Sequence, residues 1–155
     1  MSAAIVPLKR SRAIGIGHLD ELVGYALRRA QMRMYGDLVR SLEPLGLRPV
    51  TLSVLCVIDS NPGMSQVAVG DAIAIHRANF VSIAEELIKR GWIQRSISKS
   101  DRRQYSLSLS RAGAEVLKAA LKVVGAHEAR LLSGLSVAER KRLKRMLENL
   151  LPDKD

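Results

Sequence analysis

The chain has a single cysteine, Cys56, among its 155 residues, which excludes an internal disulfide and any multi-cysteine metal site and suits a reducing compartment. Cys56 sits in an apolar run with no flanking base, which predicts an inert buried thiol rather than a redox sensor. No apolar run approaches the roughly 18–20 residues that a membrane span requires. The N-terminus lacks a signal peptide's apolar core, because Lys9, Arg10 and Arg12 follow Pro7. A soluble, cytoplasmic protein is expected. The parts of a catalyst are also missing: there is no phosphate-cradling glycine loop, no Gly-x-Ser-x-Gly, no His-Glu-x-x-His and no carboxylate pair at a plausible site. His18, His76 and His127 are scattered without metal-ligand spacing. Neither an enzyme, a bound metal nor a resident cofactor is expected.

One stretch is short of acid. From Lys89 to Arg111 there are seven basic residues and a single acid, Asp101, whereas from Gly36 to Ile88 six acids face three bases. The chain's excess of 25 Lys+Arg over 15 Asp+Glu is therefore concentrated rather than spread as a solubility coat. Its length is enough to bury a core without disulfide or metal, so one domain is expected.

The pattern around the basic stretch predicts its form. Phe80, Ile83, Ala84, Leu87 and Ile88 recur at helical steps, and Gly91 stands where that helix would stop. Trp92–Ile93 and the alternating Tyr105, Leu107 and Leu109 predict a hairpin, with Lys99, Arg102 and Arg103 at its tip. A helix followed by a basic-tipped hairpin is how a winged helix-turn-helix presents itself, one helix for the major groove and the tip beside it.

The rest of the chain reads as helices. Residues 1–17 form an extended or mobile arm, and a long helix is expected from about His18 to Glu43, ended by Pro44 and Gly46. Val50 to Ile58 is read as a helix that Thr51 can cap, and Ser65 as the cap of a short helix to about Ile73. Ser110 is the expected cap of a long helix. Ser136 to Glu139 is a capping box, and the last helix is expected to bury Leu143, Met146, Leu147 and Leu150. There are no repeats and no low-complexity segments. The fold class is mainly α with a small β-hairpin wing. It divides into the arm and a single domain over 18–155, with a winged-helix lobe at 48–111 and two terminal helical segments, 18–45 and 112–150. These ends are too apolar to stand free, so a homodimer that pairs them is expected.

Asp101-Arg102-Arg103-Gln104-Tyr105-Ser106-Leu107-Ser108-Leu109-Ser110-Arg111-Ala112-Gly113 resembles the wing and following helix start of the MarR (multiple antibiotic resistance regulator) family of bacterial transcription factors. Met64 to Ala68, His76 to Val81 and Lys89 to Ile93 resemble that family's DNA-binding helices, and the similarity runs from Leu19 to Leu150. Two positions depart from it. Ala74 stands where members commonly carry Gly, predicting a tighter or reshaped turn, and Gly70 lies inside a helix at a cost of about 1 kcal/mol relative to Ala. Gly24 to Gln31 resembles members that respond to hydroxycinnamoyl-CoA thioesters or related aromatic acids.

The resemblance implies that His76, Arg77, Asn79 and Ser82 project from the recognition helix toward bases. The chemistry agrees, since Asn pairs bidentately with adenine and Arg with guanine. Arg102 or Arg103 is expected in the minor groove, with Asp101 orienting an arginine and Lys99 adding to the tip. Ser65, Gln66 and Thr51 lie at helix starts, as phosphate contacts or simply as caps. The family also places an effector cleft near Tyr25, Arg28, Arg29 and Met32, where paired arginines suit a carboxylate or the phosphates of coenzyme A. The functional expectation is a homodimeric repressor on a pseudo-palindromic site in double-stranded DNA, released by an aromatic carboxylate or aromatic acyl-CoA. Two alternatives stand beside it: a winged helix used for protein–protein contact, and a DNA-binding architectural protein without sequence preference.

Overall fold

The computed structural model describes residues 15–97 and 105–151. The N-terminal arm up to residue 14 and the hairpin tip, with Lys99, Asp101, Arg102 and Arg103, lie outside the described residues.

The chain begins with a 3-10 turn, Gly17–Glu21, and only then enters helix α1, Val23–Leu42. The single helix expected from His18 is thus two elements. Leu22 is extended (φ −87°, ψ 119°) and acts as the cap, its carbonyl accepting from the amides of Tyr25 and Ala26 at 3.1 Å. At the other end, Pro44 has no N–H to continue the ladder, and Glu43–Leu45 tightens into a second 3-10 turn that closes on left-handed Gly46.

Helix α2 is Pro49–Ser60, with Pro49 at a first-turn position where its missing N–H costs nothing. That proline moves the start upstream of the expected one. Arg48 is the cap residue and Thr51 lies in the first turn, its hydroxyl accepting from Arg48 N at 2.9 Å and donating to Arg48 O at 2.7 Å. Thr51 is buried and its hydroxyl is spent locally, so it holds no phosphate.

Strand β1 is Met64–Ser65, followed by helix α3, Gln66–Ala72, helix α4, Arg77–Lys89, and strands β2, Ile93–Ile97, and β3, Tyr105–Leu109. The expected hairpin is the larger part of a three-stranded antiparallel sheet with β3 at its centre: Ile93 pairs with Leu109, Ile97 with Tyr105, and Met64 with Leu107. Helix α5, Arg111–Leu131, and helix α6, Val137–Glu148, complete the chain. Their caps are those read from the sequence. Ser110 Oγ accepts from Gly113 N at 3.0 Å, and Ser136 and Glu139 exchange bonds in a capping box.

The core lies under the sheet, where Leu55, Ile58, Phe80, Leu87 and Leu107 are essentially inaccessible to water. Helix α4 joins it through Phe80, Ala84 and Leu87, three residues on one helical stripe. The last helix is not covered by its own chain. Leu143, Met146, Leu147 and Leu150 are 36 to 67% exposed, because α6 extends beyond the chain's own core. The N-terminal half of α1 is also largely uncovered, and Leu19, Leu22 and Val23 are exposed.

A polar cluster fastens α1 to α5. The Asp37 carboxylate accepts from Nδ1 of buried His127 at 2.7 Å and from the Arg130 guanidinium, and pairs with Arg40 at 3.2 Å. Because a carboxylate only accepts, His127 carries its proton on Nδ1 at this bond. The hydrogen bond from His127 outweighs the effect of burial, and Arg130 and Arg40 add to it, so the Asp37 carboxyl is held at a pKa of about 2. Half-buried Cys56 is shifted the other way: desolvation and then the charge of Asp59 raise its thiol pKa, which keeps it protonated and unreactive.

The turn between α3 and α4 passes through Ala74. Ala74 takes the left-handed conformation itself, at φ 52°. An alanine there carries roughly 1 kcal/mol of Cβ strain, so Ala74→Gly is expected to stabilise the protein by up to about 1 kcal/mol, a rise of a few degrees in a thermal melt. Gly70 is buried against the same turn. A Cβ there would lie 3.4 Å from Phe80 Cγ and 3.5 Å from Ile75 O, which is ordinary van der Waals contact, so the packing of α3 on α4 does not by itself demand a glycine.

Candidate nucleic-acid interface

Burial of Phe80, Ala84 and Leu87 leaves the opposite side of α4 to solvent. His76, Arg77, Ala78, Asn79, Val81, Ser82 and Glu85 are all exposed there. The four residues expected to read bases are therefore accessible together on the first turns of one helix. They are not equivalent. At 100° per residue, Ser82 points directly away from the buried stripe, while Arg77 and Asn79 flank it on opposite sides. His76 is the cap residue, but its ring makes no capping bond. Ala78, Val81 and Glu85 share the exposed face without having been marked in the sequence. The signal for them was the same helical period, read outward instead of inward.

Arg77 leans toward α3. It lines a shallow groove with Ser65, Gln66, Asp71 and Tyr105, between the start of α3 and the start of β3. Ser65 Oγ accepts from Ala68 N at 3.2 Å, fulfilling its role as a cap and leaving its O–H to donate outward. Gln66 makes a longer connection. With its amide oriented so that the oxygen, not the NH2, faces the guanidinium, it accepts from both Nε and Nη2 of Arg95 at 2.8 Å. Arg95 also lies over the Tyr105 ring, 5.5 Å from the centroid. Arg95 belonged to the basic excess of the sequence but not to the expected site, since nothing within a few residues of it on β2 announces its partners.

The rear of α4 is tied down by charge. Glu86 pairs with Arg48 and, at 3.0 Å, with Arg90. Arg90 also donates to Gly46 O at 2.7 Å and stacks 4.8 Å from the Trp92 ring centroid. This exposed network contributes little energy, about 1 kcal/mol or less per pair, but it connects the recognition helix to the elbow that follows α1.

The residues expected at an effector site lie on one face of α1. Tyr25, Arg28, Arg29 and Met32 are spaced by three and four positions. Arg29 lies 5.8 Å from the Tyr25 ring centroid, while Arg28 and Met32 (41% exposed) remain open to solvent in the single chain. Among the described residues, no helix is by itself long and apolar enough to cross a membrane, and no group of three or more His, Cys, Asp or Glu is placed to hold a metal.

The MarR family model matches residues 47–105, from the approach to α2 through the start of β3. Similarity to individual proteins extends further. The chain is 32% identical over 135 residues, 86% of this chain and 81% of the other, to a protein of Thauera aromatica assigned to transcriptional regulation of its hcr operon. Among solved structures, the transcriptional repressor CouR bound to a 23-mer DNA duplex superposes with a TM-score of 0.83 at 39% identity, covering 88% of this chain and 97% of that one. CouR bound to p-coumaroyl-CoA gives 0.78 at 37% identity, covering 88% and 96%. The exposed polar start of α4, Arg95 on the strand that follows it and these similarities agree: the chain belongs to the MarR family, as a winged-helix transcriptional repressor of the MarR type.

Proposed function

We propose that this repressor works as a homodimer on a pseudo-palindromic site in double-stranded DNA, and leaves it when an aromatic acyl-CoA or a related aromatic carboxylate binds. The observation that carries the reading is the polar, exposed first turns of α4 on a chain 39% identical to a repressor solved on a DNA duplex. In this reading 48–111 is the DNA-binding lobe, 18–45 and 112–150 pair the two copies, and 1–17 is an arm. The uncovered apolar residues of α1 and α6 supply the contact surface, since stripes of that size stay in water at a cost. The two-fold sets the recognition helices about one DNA turn apart. A repressor of the chromosome acts in the cytoplasm.

Each recognition helix would present Arg77, Asn79, His76 and Ser82 to base edges. Ser65 and Gln66 would lie along the backbone, and Lys99, Arg102 and Arg103 would follow the adjacent minor groove. The effector would use Tyr25 as a stacking surface, Met32 as apolar wall, and Arg28 and Arg29 for carboxylate or phosphate. It releases DNA only if it prefers a dimer in which the recognition helices are wrongly spaced for successive grooves. The Glu86–Arg90 network provides a physical route from the α1 elbow to α4.

Two measurements test this. In fluorescence anisotropy with a duplex that the wild-type protein enriches from a random-sequence pool, Asn79→Ala is expected to reduce discrimination against scrambled DNA by about tenfold or more per subunit, the scale of one bidentate contact at 1–3 kcal/mol. Arg103→Ala is expected to weaken both duplexes alike. Wild-type behaviour in both variants would remove the assigned roles. In a thermal-shift experiment, p-coumaroyl-CoA is expected to raise the melting temperature and to dissociate the duplex. A shift with free p-coumarate alone would discard the thioester.

A further inference from the structure

We infer that Arg95 is a DNA-phosphate contact at the root of the wing, and that Gln66 and Tyr105 are the residues that position it. The inference deepens the DNA-binding reading above and rests on it.

An arginine on an exposed strand ordinarily samples many rotamers, and fixing it costs side-chain entropy. Here the entropy is surrendered in advance. Nε and Nη2 both donate to the Gln66 side-chain oxygen at 2.8 Å, and the guanidinium lies over the Tyr105 ring at 5.5 Å. The nature of these two partners matters more than their number. A carboxylate would orient the guanidinium and cancel its charge, whereas an amide oxygen and a π face orient it and leave the cation intact. Fixing the guanidinium's Nε edge leaves its other N–H donors to a ligand, in the fork geometry that suits a phosphate.

The location suits a phosphate of the duplex that α4 would read. Gln66 and Tyr105 line the same groove as Arg77, the first residue of α4, so the backbone flanking the inserted helix passes this point. Asp71 lies in the groove as well, and its negative charge disfavours a phosphate deep inside, which favours the side formed by Gln66 and Tyr105, the two residues that hold Arg95. Since Gln66 is the first residue of α3 and Arg95 is on β2, the contact also joins the helix-turn-helix to the wing.

The test uses the full chain and the duplex enriched by the wild-type protein, with a scrambled duplex of equal composition, titrated across salt concentrations. Each phosphate contact contributes about 0.9 to the slope of log K against log salt. Arg95→Ala, with two copies per dimer, is expected to reduce that slope by about 1.8 and to weaken both duplexes about equally, by tenfold or more at low salt. Gln66→Ala keeps the charge, so the slope should hold while affinity falls several-fold, and its effect should shrink in the Arg95→Ala background to what its own backbone contact contributes; an effect equally large in both backgrounds overturns the positioning role. Gln66→Glu would neutralise the guanidinium and should reproduce the reduced slope of Arg95→Ala. Melting temperatures within a few degrees of wild type exclude unfolding as the cause. An unchanged slope and affinity for Arg95→Ala overturn the inference while leaving the DNA-binding reading intact. A wild-type protein that enriches no duplex and shows no salt-dependent binding overturns both.

Discussion

Gly113→Ala is expected to cost at least about 3 kcal/mol, the scale of a severe core defect, and at physiological temperature to leave little folded protein. A Cβ at this position would sit 1.9 Å from the carbonyl oxygen of Trp92 and 2.8 Å from its carbonyl carbon. Those atoms are backbone and cannot rotate aside. They are also held in place, because Trp92 O accepts from Ser110 N at 3.0 Å while the Ser110 hydroxyl donates to the neighbouring Gly91 O at 2.6 Å. Moving the carbonyl would break the joint where β2 begins and α5 starts, loosening the wing and the long helix together. The control is Gly125→Ala, in the same helix. No atom lies within 4 Å of a Cβ there, so the gain in helix propensity should stabilise the protein by up to about 1 kcal/mol. Urea melts of the two variants should shift in opposite directions; parallel shifts would mean that the approach of α5 to Trp92 has been misjudged.

Asp37→Asn is expected to remove roughly 2 kcal/mol at neutral pH, the stability equivalent of holding a carboxyl at about 2 in place of its ordinary 3.8. The direction with pH follows from the depressed value. The folded state prefers the ionised carboxylate, so the contribution is complete above the unfolded-state pKa and is lost as pH falls through about 2. About half of it should remain at pH 3. Urea midpoints for wild type and Asp37→Asn at fixed protein concentration should therefore differ most near pH 7, less at pH 3, and scarcely at all below pH 2. A difference independent of pH would mean that shape rather than charge at Asp37 holds α1 to α5. Asp37→Ala should cost more, since it leaves buried His127 and the Arg130 guanidinium without their acceptor.

These two sites mark the limits of what sequence reading reached. Ser65, Ser110 and the Ser136–Glu139 box were legible because a cap bonds three residues ahead, within the window that pattern sees. The recognition helix was legible for the same reason: burying Phe80, Ala84 and Leu87 at fixed helical steps determines which side chains remain outside. The first helix starts later than its pattern predicts, because the apolar period runs through Leu19 and Leu22 while the backbone is extended at Leu22. The cap of α2 is Arg48, not Thr51, because Pro49 already takes the first helical position. Leu143 and Met146 were expected to be buried, yet the surface that would cover them is not in their own chain.

By itself the sequence determined the order of the elements, the caps that begin α3, α5 and α6, the exposed face of α4 and the concentration of positive charge after it, all consequences of residues within about four positions of one another. Only the tertiary structure decided that Asp37 meets His127 across 90 residues, that Gln66 grips Arg95, that Gly113 lies against Trp92 and that Ala74 turns left-handed. Such contacts depend on how helices and strands come to rest on a shared core, and no local pattern encodes that distance.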